Sequence, residues 1–289
     1  MRVLVTGASG QIGPYLLRLL RSAGCEVIAW SHQALQPVEG LQPRSVPLVD
    51  EAAIRLAFED AAPDCVIHAA AMSAIADCLK DPAKASAINT RGTALLAELA
   101  DGRAARMVYL STDLVFDGEK GNYRETDPAH PPTCYGRTKL AGESAALTAS
   151  RGAVLRLPLI VGPTLTGRAK FFENLLASLR ENRRVDLFHD EWRTPLTPDS
   201  VAEAIVMLAL SPATGLFHVG GPQRLSRYEI GVAVAQAAGL SPEPIQAVSR
   251  LSIPSPEPRS RDTSLDCSKF RAAFPAFQPP PLIDALRRD

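Results

Sequence analysis

The sequence predicts an α/β fold, a doubly wound parallel sheet followed by a smaller C-terminal region, on three observations. Short apolar runs alternate with stretches whose apolar residues recur every three or four positions, which is the pattern of strands joined by crossover helices. The strand-like runs are apolar almost throughout, as a sheet covered on both faces requires. The first of them runs directly into Gly7, Gly10 and Gly13 and then into a helical stretch, the place where open parallel sheets put a tight, ligand-facing turn.

Taken in order, strands are expected at residues 2–6, 26–30, 45–49, 65–70, 107–111 and 153–157. Helices are expected between them at 14–23, 51–61, 83–100 and 138–150. After Gly162 the rhythm changes, with helices at 171–184 and 201–210 and a further strand at 215–220. Prolines become dense over 241–258 and again at 279–281, which reads as ordered extended chain rather than a free linker. The expected division is residues 1–162 for the sheet domain, with 197–220 returning to it, and 163–289 for a region packed over the carboxyl ends of the strands.

A chain of 289 residues with 46% hydrophobic content buries a substantial core. Lys plus Arg equals Asp plus Glu at 31 each, so there is no electrostatic footprint for nucleic acid or an anionic membrane, and an anionic ligand must be held locally. Cys25, Cys65, Cys78, Cys134 and Cys267 are scattered, without metal-ligand spacing, and read as reduced thiols. No metal site is expected. No run approaches the roughly 18 apolar residues of a membrane span. A soluble cytoplasmic protein is the expectation.

Glycines at positions 7, 10 and 13 allow a tight turn, close approach of backbone to a pyrophosphate, and close packing of the helix that begins near Pro14, whose start supplies unpaired N–H groups and a partial positive charge for an anion. The lookalike nucleophile elbow is excluded, since Gly7-Ala-Ser-Gly-Gln11 lacks the second glycine of that motif. Tyr135 and Lys139 are spaced i, i+4, on one helical face, where the ammonium is expected to lower the phenol's pKa. Ser111-Thr112-Asp113 ends a strand, so that a hydroxyl there can share a carbonyl oxygen with Tyr135. In His68-Ala69-Ala70-Ala71 the small side chains leave room for a flat cofactor, and His68 reads as a hydrogen-bonded histidine beside the sheet.

These motifs resemble an extended short-chain dehydrogenase/reductase, most closely the dTDP-4-dehydrorhamnose reductase family, over nearly the whole chain. The carriers are Thr6-Gly-Ala-Ser-Gly-Gln-Ile-Gly13, His68-Ala-Ala-Ala71, Ser111-Thr-Asp-Leu-Val-Phe-Asp-Gly118 and Tyr135-Gly-Arg-Thr-Lys-Leu-Ala-Gly-Glu143. The resemblance implies a Rossmann-type fold with a C-terminal substrate-binding region and an NAD(P)H-dependent reduction of a nucleotide-activated 4-keto-deoxysugar. In it Tyr135 is the general acid, Thr112 orients the carbonyl with Asp113 beside the substrate, and Lys139 binds the nicotinamide ribose and tunes Tyr135. Asn89 matches a residue that shapes the site. Cofactor contacts fall to Gly7, Gly10, Gln11, Ile12, Gly13, Ser31, His32, Leu48, Ala69, Ala70, Ala71, Tyr135 and Lys139. Arg193, in Asp190-Glu-Trp-Arg-Thr-Pro195, and Arg259, in Pro258-Arg-Ser-Arg-Asp262, take the substrate diphosphate, a task suited to planar bidentate donors.

One departure stands out: Leu159 occupies a position where rhamnose-pathway reductases carry an aromatic residue near the sugar. At the second strand's end no carboxylate appears before Glu39, while Ser31, His32 and Gln33 offer donors, which favours NADP(H) with NAD(H) also admitted. Two rivals share the resemblance: an epimerase or dehydratase with tightly bound NAD, and a non-catalytic NADP-binding regulatory subunit like the beta subunit of methionine adenosyltransferase. Superfamily members often form homodimers through helices.

Overall fold

A computed structural model describes residues 1–32, 37–166 and 170–288. The first half runs β1 (Arg2–Thr6), α1 (Gly13–Ser22), β2 (Glu26–Ser31), β3 (Arg44–Ser45), α2 (Glu51–Ala61), β4 (Cys65–His68), α3 (Ile75–Lys80), α4 (Pro82–Ser86), α5 (Gly92–Gly102), β5 (Arg106–Thr112), α6 (Cys134–Ala146) and β6 (Gly152–Leu157). The second runs α7 (Phe171–Arg180), β7 (Val185–Phe188), β8 (Trp192–Arg193), α8 (Pro198–Ala209), β9 (Gly215–His218), β10 (Leu225–Ser226), α9 (Arg227–Ala237), β11 (Ile245–Val248), α10 (Ser268–Ala273) and α11 (Leu282–Leu286). Seven strands form one parallel sheet in the order β3-β2-β1-β4-β5-β6-β9. The order reverses at β1, so the β1–α1 turn opens into the crevice between β1 and β4.

Alternate residues of each strand feed two cores. Val3, Val5, Ile67, Val108, Leu110 and Leu155 face α1 and α8, and Phe270 and Phe277 close that layer. Leu4, Val66, Met107, Tyr109 and Val154 face α2 and α5. A third core, built on Val161, Leu175, Leu187, Ile230, Val234 and Ile245, holds α7, α9 and α11 around the parallel pair β7–β11. No described helix is long and apolar enough to cross a membrane.

Local chemistry moves several boundaries from where periodicity puts them. β3 pairs only at Arg44–Ser45, because Val46 N–H closes onto Ser31 O and the chain then turns so that Asp50 can cap α2 through Ala53 N–H. β4 stops at His68, since Ala70 N–H leaves the ladder for the Thr6 hydroxyl at 3.2 Å. The expected helix at 83–100 begins at Pro82 under an Asp81 cap and passes through a π-helical turn at Ala87–Arg91 before continuing as α5. α6 begins four residues ahead of expectation, where Thr133 caps it by accepting Gly136 N–H, which places Tyr135 in the first turn. α7 ends at Arg180 and the chain reverses at Asn182, whose φ is +52°.

Candidate active site

The β1–α1 turn has the build of a phosphate cradle. Gly7 has φ +71°, and a Cβ there would stand 2.7 Å from Ala70 N, so the loop after β4 lies directly against it. A Cβ on Gly13 would overlap the Ala8 carbonyl, and only its absence lets α1 start so close to the turn. Ile12 caps α1 without any side-chain hydrogen bond, Gly10 N–H closes the turn onto Gly7 O at 2.8 Å, and the positive end of the helix faces the turn at Gln11 and Ile12. Ala69, Ala70 and Ala71 lie half-buried opposite, leaving a trough with a smooth wall. These residues fit a dinucleotide.

Along the trough, β5 and α6 supply the chemistry. The Thr112 hydroxyl lies beside the Tyr135 phenol, donates to Asp113 at 3.2 Å and caps the 3-10 turn Asp113–Val115, accepting Leu114 N–H at 3.2 Å. Burial pushes the Tyr135 phenol above its ordinary pKa, and the Asp113 charge and Cys78 add to that, opposed by the neighbouring Thr112 hydroxyl. Lys139 is not arranged to lower it. Its Nζ donates to Leu110 O at 2.6 Å and lies 3.9 Å from the centroid of the Tyr109 ring, and burial pushes its pKa down to about 7. This corrects the expected phenol tuning: in the ligand-free protein the phenol keeps its proton, while the lysine is the group that titrates near neutrality.

Behind this pair the packing is polar and satisfied. Asn89, in the π-helical turn, accepts Met72 N–H at 2.8 Å and donates to Met72 O and to the Thr138 hydroxyl, tying the loop after β4 to α6. His68 bridges the Thr6 and Thr93 hydroxyls at 2.7 and 3.0 Å, and burial lowers its pKa to about 3, so it is a neutral structural histidine. Ser111 points away from Thr112 and donates to Glu143. Glu143 in turn holds Arg156 with two hydrogen bonds, at 2.9 and 2.7 Å, beneath α6.

Across the trough three arginines gather from the second region. Arg193 is 6% exposed and its donors are committed to Asp113, Glu191, Trp192 O and Ser260 O. Asp113 is likewise buried, accepting from Thr263 and Thr112, and burial raises its pKa against the pull of Arg193. Arg193 and Asp113, expected beside the substrate, are joined to each other here and form a buried seam between the two regions. Arg259 and the unforeseen Arg227 are half-buried and lie over the rings of Phe188 and Phe171, at 4.9 and 4.3 Å. Burial lowers the Arg227 pKa to about 10, helped by the charges of Arg193 and Arg259. Ser226-Arg-Tyr-Glu229 is a capping box, the sequence signal from which α9 and Arg227 could have been found. Leu159 is half-buried against the same third core as Phe171.

At the end of β2, Ser31 is buried and His32 exposed, and Gln33 lies outside the described residues. Arg44 stands in register beside Trp30 on β3, ion-paired at 2.8 Å with exposed Asp60, a contact of small energetic weight. It escaped the sequence reading because β3 starts one residue ahead of the expected strand. Leu48 is half-buried, with its carbonyl where a Cβ on Gly92 would stand 2.9 Å away. The described residues contain no His/Cys/Asp/Glu group that could hold a metal.

Fold and site together define a class: a Rossmann-type protein of the extended short-chain dehydrogenase/reductase kind. The family model described as RmlD substrate binding domain matches residues 1–288, and the chain belongs to that family. It is 34% identical over 242 residues to the spore coat polysaccharide biosynthesis protein SpsK of Bacillus subtilis, covering 83% of this chain and 80% of that one. A hypothetical dTDP-4-dehydrorhamnose reductase from Sulfolobus tokodaii superposes with a TM-score of 0.84 at 32% identity, over 98% of both chains. Methionine adenosyltransferase 2 subunit beta of Xenopus laevis is 31% identical over 280 residues, covering 93% of this chain and 81% of that one.

Proposed function

We propose that this protein is an NAD(P)H-dependent reductase of a nucleotide-activated 4-keto-deoxysugar, with NADPH favoured. The observation that carries the reading is the placing of Tyr135, in the capped first turn of α6, beside Thr112 at the end of β5, along the trough that begins at the glycine turn. NADPH, when bound, supplies a hydride to the carbonyl carbon. The turn at Gly7, Gly10 and Gly13 would hold its pyrophosphate, Ala69 to Ala71 would face it, and Arg44 is the cation beside β2 that could meet a 2′-phosphate.

In this reading Tyr135 and Thr112 hydrogen-bond the carbonyl oxygen, and Tyr135 delivers its proton as negative charge grows there. A phenol held above its ordinary pKa suits a donor, since it arrives protonated. Lys139, already losing its proton near neutrality, stands ready to carry charge once polar cofactor groups relieve its burial. Arg227 and Arg259 hold the diphosphate, and Arg193 supports them from the seam. Leu159 leaves the sugar end of the cleft aliphatic, which widens the reading to deoxysugars other than the rhamnose precursor.

The purified protein mixed with NADPH and dTDP-4-keto-6-deoxysugar is expected to consume reduced nicotinamide, followed by its absorbance. Absence of decay across thymidine and uridine 4-ketosugars would rule this substrate class out. The likeness to methionine adenosyltransferase 2 subunit beta supports a second reading, a non-catalytic NADP-binding subunit. A large partner recovered in equal amount, together with no turnover, would favour it.

A further inference from the structure

We propose that Glu257 is a positioning residue for Tyr135, holding the first turn of α6 from the second region. The proposal deepens the reductase reading and rests on it for its kinetic readout. Glu257 is 8% exposed, and its Oε1 accepts the backbone N–H of Cys134 at 2.6 Å, across 123 residues of chain. That N–H belongs to the first residue of α6 and has no acceptor inside the helix. Two residues on, Gly136 N–H is held by the Thr133 hydroxyl at 3.1 Å. Tyr135 is the residue between these two anchored amides. Its backbone is therefore fixed by one acceptor from its own turn and one from a distant segment. A carboxylate at this end also meets the positive pole of the helix, and Arg137 stands 3.7 Å from the same oxygen.

Helix caps are ordinarily local, and Thr133 already provides one. Glu257 comes instead from the proline-dense stretch, and two residues further on the chain presents Arg259 over Phe188. Pro258 fixes the backbone between them, so Glu257-Pro258-Arg259 is a short, stiff link from the catalytic helix to the proposed anion grip. Oε2 of the same carboxylate meets no protein donor among the described residues, so hydrogen-bond satisfaction alone does not account for a buried glutamate here. Binding of an anion at Arg259 is thereby coupled to the placement of the phenol.

The test uses the full chain with Glu257→Ala and Glu257→Gln, the latter keeping an acceptor without the charge. Glu257→Ala is expected to lower kcat for ketosugar reduction about 10- to 100-fold, the effect of displacing a reacting group by about an ångström, with KM for NADPH unchanged. Glu257→Gln is expected to restore most of the rate. Hydrogen exchange at the Cys134 and Tyr135 amides is expected to quicken in Glu257→Ala and to revert in Glu257→Gln, whether or not a substrate is known. If the alanine variant does not fold, Glu257→Asp, which withdraws the carboxylate by one methylene, gives the same comparison. Unchanged kcat in Glu257→Ala, or unchanged exchange at the start of α6, would overturn the proposal. If the wild type reduces no ketosugar, the reductase reading fails by itself, and the exchange rates still decide whether Glu257 holds the helix.

Discussion

Tyr135 and Lys139 divide the titration of the site between them. The phenol, surrounded by apolar packing and an acidic neighbour, keeps its proton, so its replacement removes a donor that nothing nearby can supply. Tyr135→Phe is expected to reduce kcat about 10²- to 10⁴-fold with NADPH affinity retained, measured by steady-state kinetics beside a nicotinamide fluorescence titration. Lys139 has its pKa depressed to about 7 from the ordinary 10.5. Between those values the unfolded chain binds more protons than the native one, so the stability of the ligand-free protein rises with pH across that window. Below about pH 7 both forms are charged and the burial penalty is constant. Urea unfolding is therefore expected to show the wild type gaining on Lys139→Met between pH 7 and pH 9, by at most about 1.4 kcal/mol per unit. A parallel pair of pH profiles would refute this. Tyr135, Thr112 and Lys139 are legible in the sequence because short motifs on regular elements fix their mutual spacing. Glu257 is not, because its partner Cys134 comes from a segment 123 residues away, and Arg227 is marked only by its capping box, which places the helix but not the residues across from it.

The helix α6 carries two of these residues, and its seat on the sheet is polar. Glu143 and Arg156 are both 4% exposed and paired bidentately, with Ser111 donating to the carboxylate and Arg156 lying over Phe116. Removing one partner strands a buried charge, which costs about 3–5 kcal/mol, while an apolar pair of similar volume can restore much of it. Glu143→Leu is thus expected to destabilise the protein by that amount, and Glu143→Leu with Arg156→Met to recover most of it, read by chemical denaturation. Additive losses in the double variant would show that the pair's hydrogen bonds to Ser111 and His218 matter more than its charge. The alternation of apolar runs and helical stretches makes most of the sheet legible from sequence, since buried parallel strands leave a strong hydrophobic signature. The two-residue strands β8 and β10 leave none, because their pairing is decided by contacts between segments more than thirty positions apart, as between Trp192 and Ser226. The π-helical turn at Ala87–Arg91 is equally invisible to periodicity, yet it is what aims Asn89 at Met72 and Thr138.

At the scale of the whole molecule the two regions are joined through charge. Asp113 at the end of β5 meets Arg193 from β8 at 3.5 Å and Thr263 from the late basic segment at 2.8 Å, and Arg193 also carries Glu191. Such a seam holds the trough wall and the arginine wall at a fixed distance, which a reductase needs if a nucleotide sugar gripped at one side is to present its carbonyl at the other. The seam and the grip predict opposite signatures. Arg193→Ala leaves buried Asp113 and half-buried Glu191 without their cation and is expected to cost about 3–5 kcal/mol. At about 2–4 °C per kcal/mol, that lowers the melting temperature by roughly 10 °C. Arg227 has no hydrogen bond to its guanidinium among the described residues and rests on the Phe171 ring, a contact whose loss costs about 1 kcal/mol. Arg227→Ala is therefore expected to melt close to the wild type and to raise KM for the nucleotide sugar about tenfold or more, the weight of a charge-assisted hydrogen bond to phosphate. Differential scanning fluorimetry with and without nucleotide sugar separates the two, since a ligand bound by the native state raises its melting temperature. If Arg193→Ala melts normally and loses only the ligand-induced shift, Arg193 belongs to the grip, and the seam at Asp113 does not hold the two regions together.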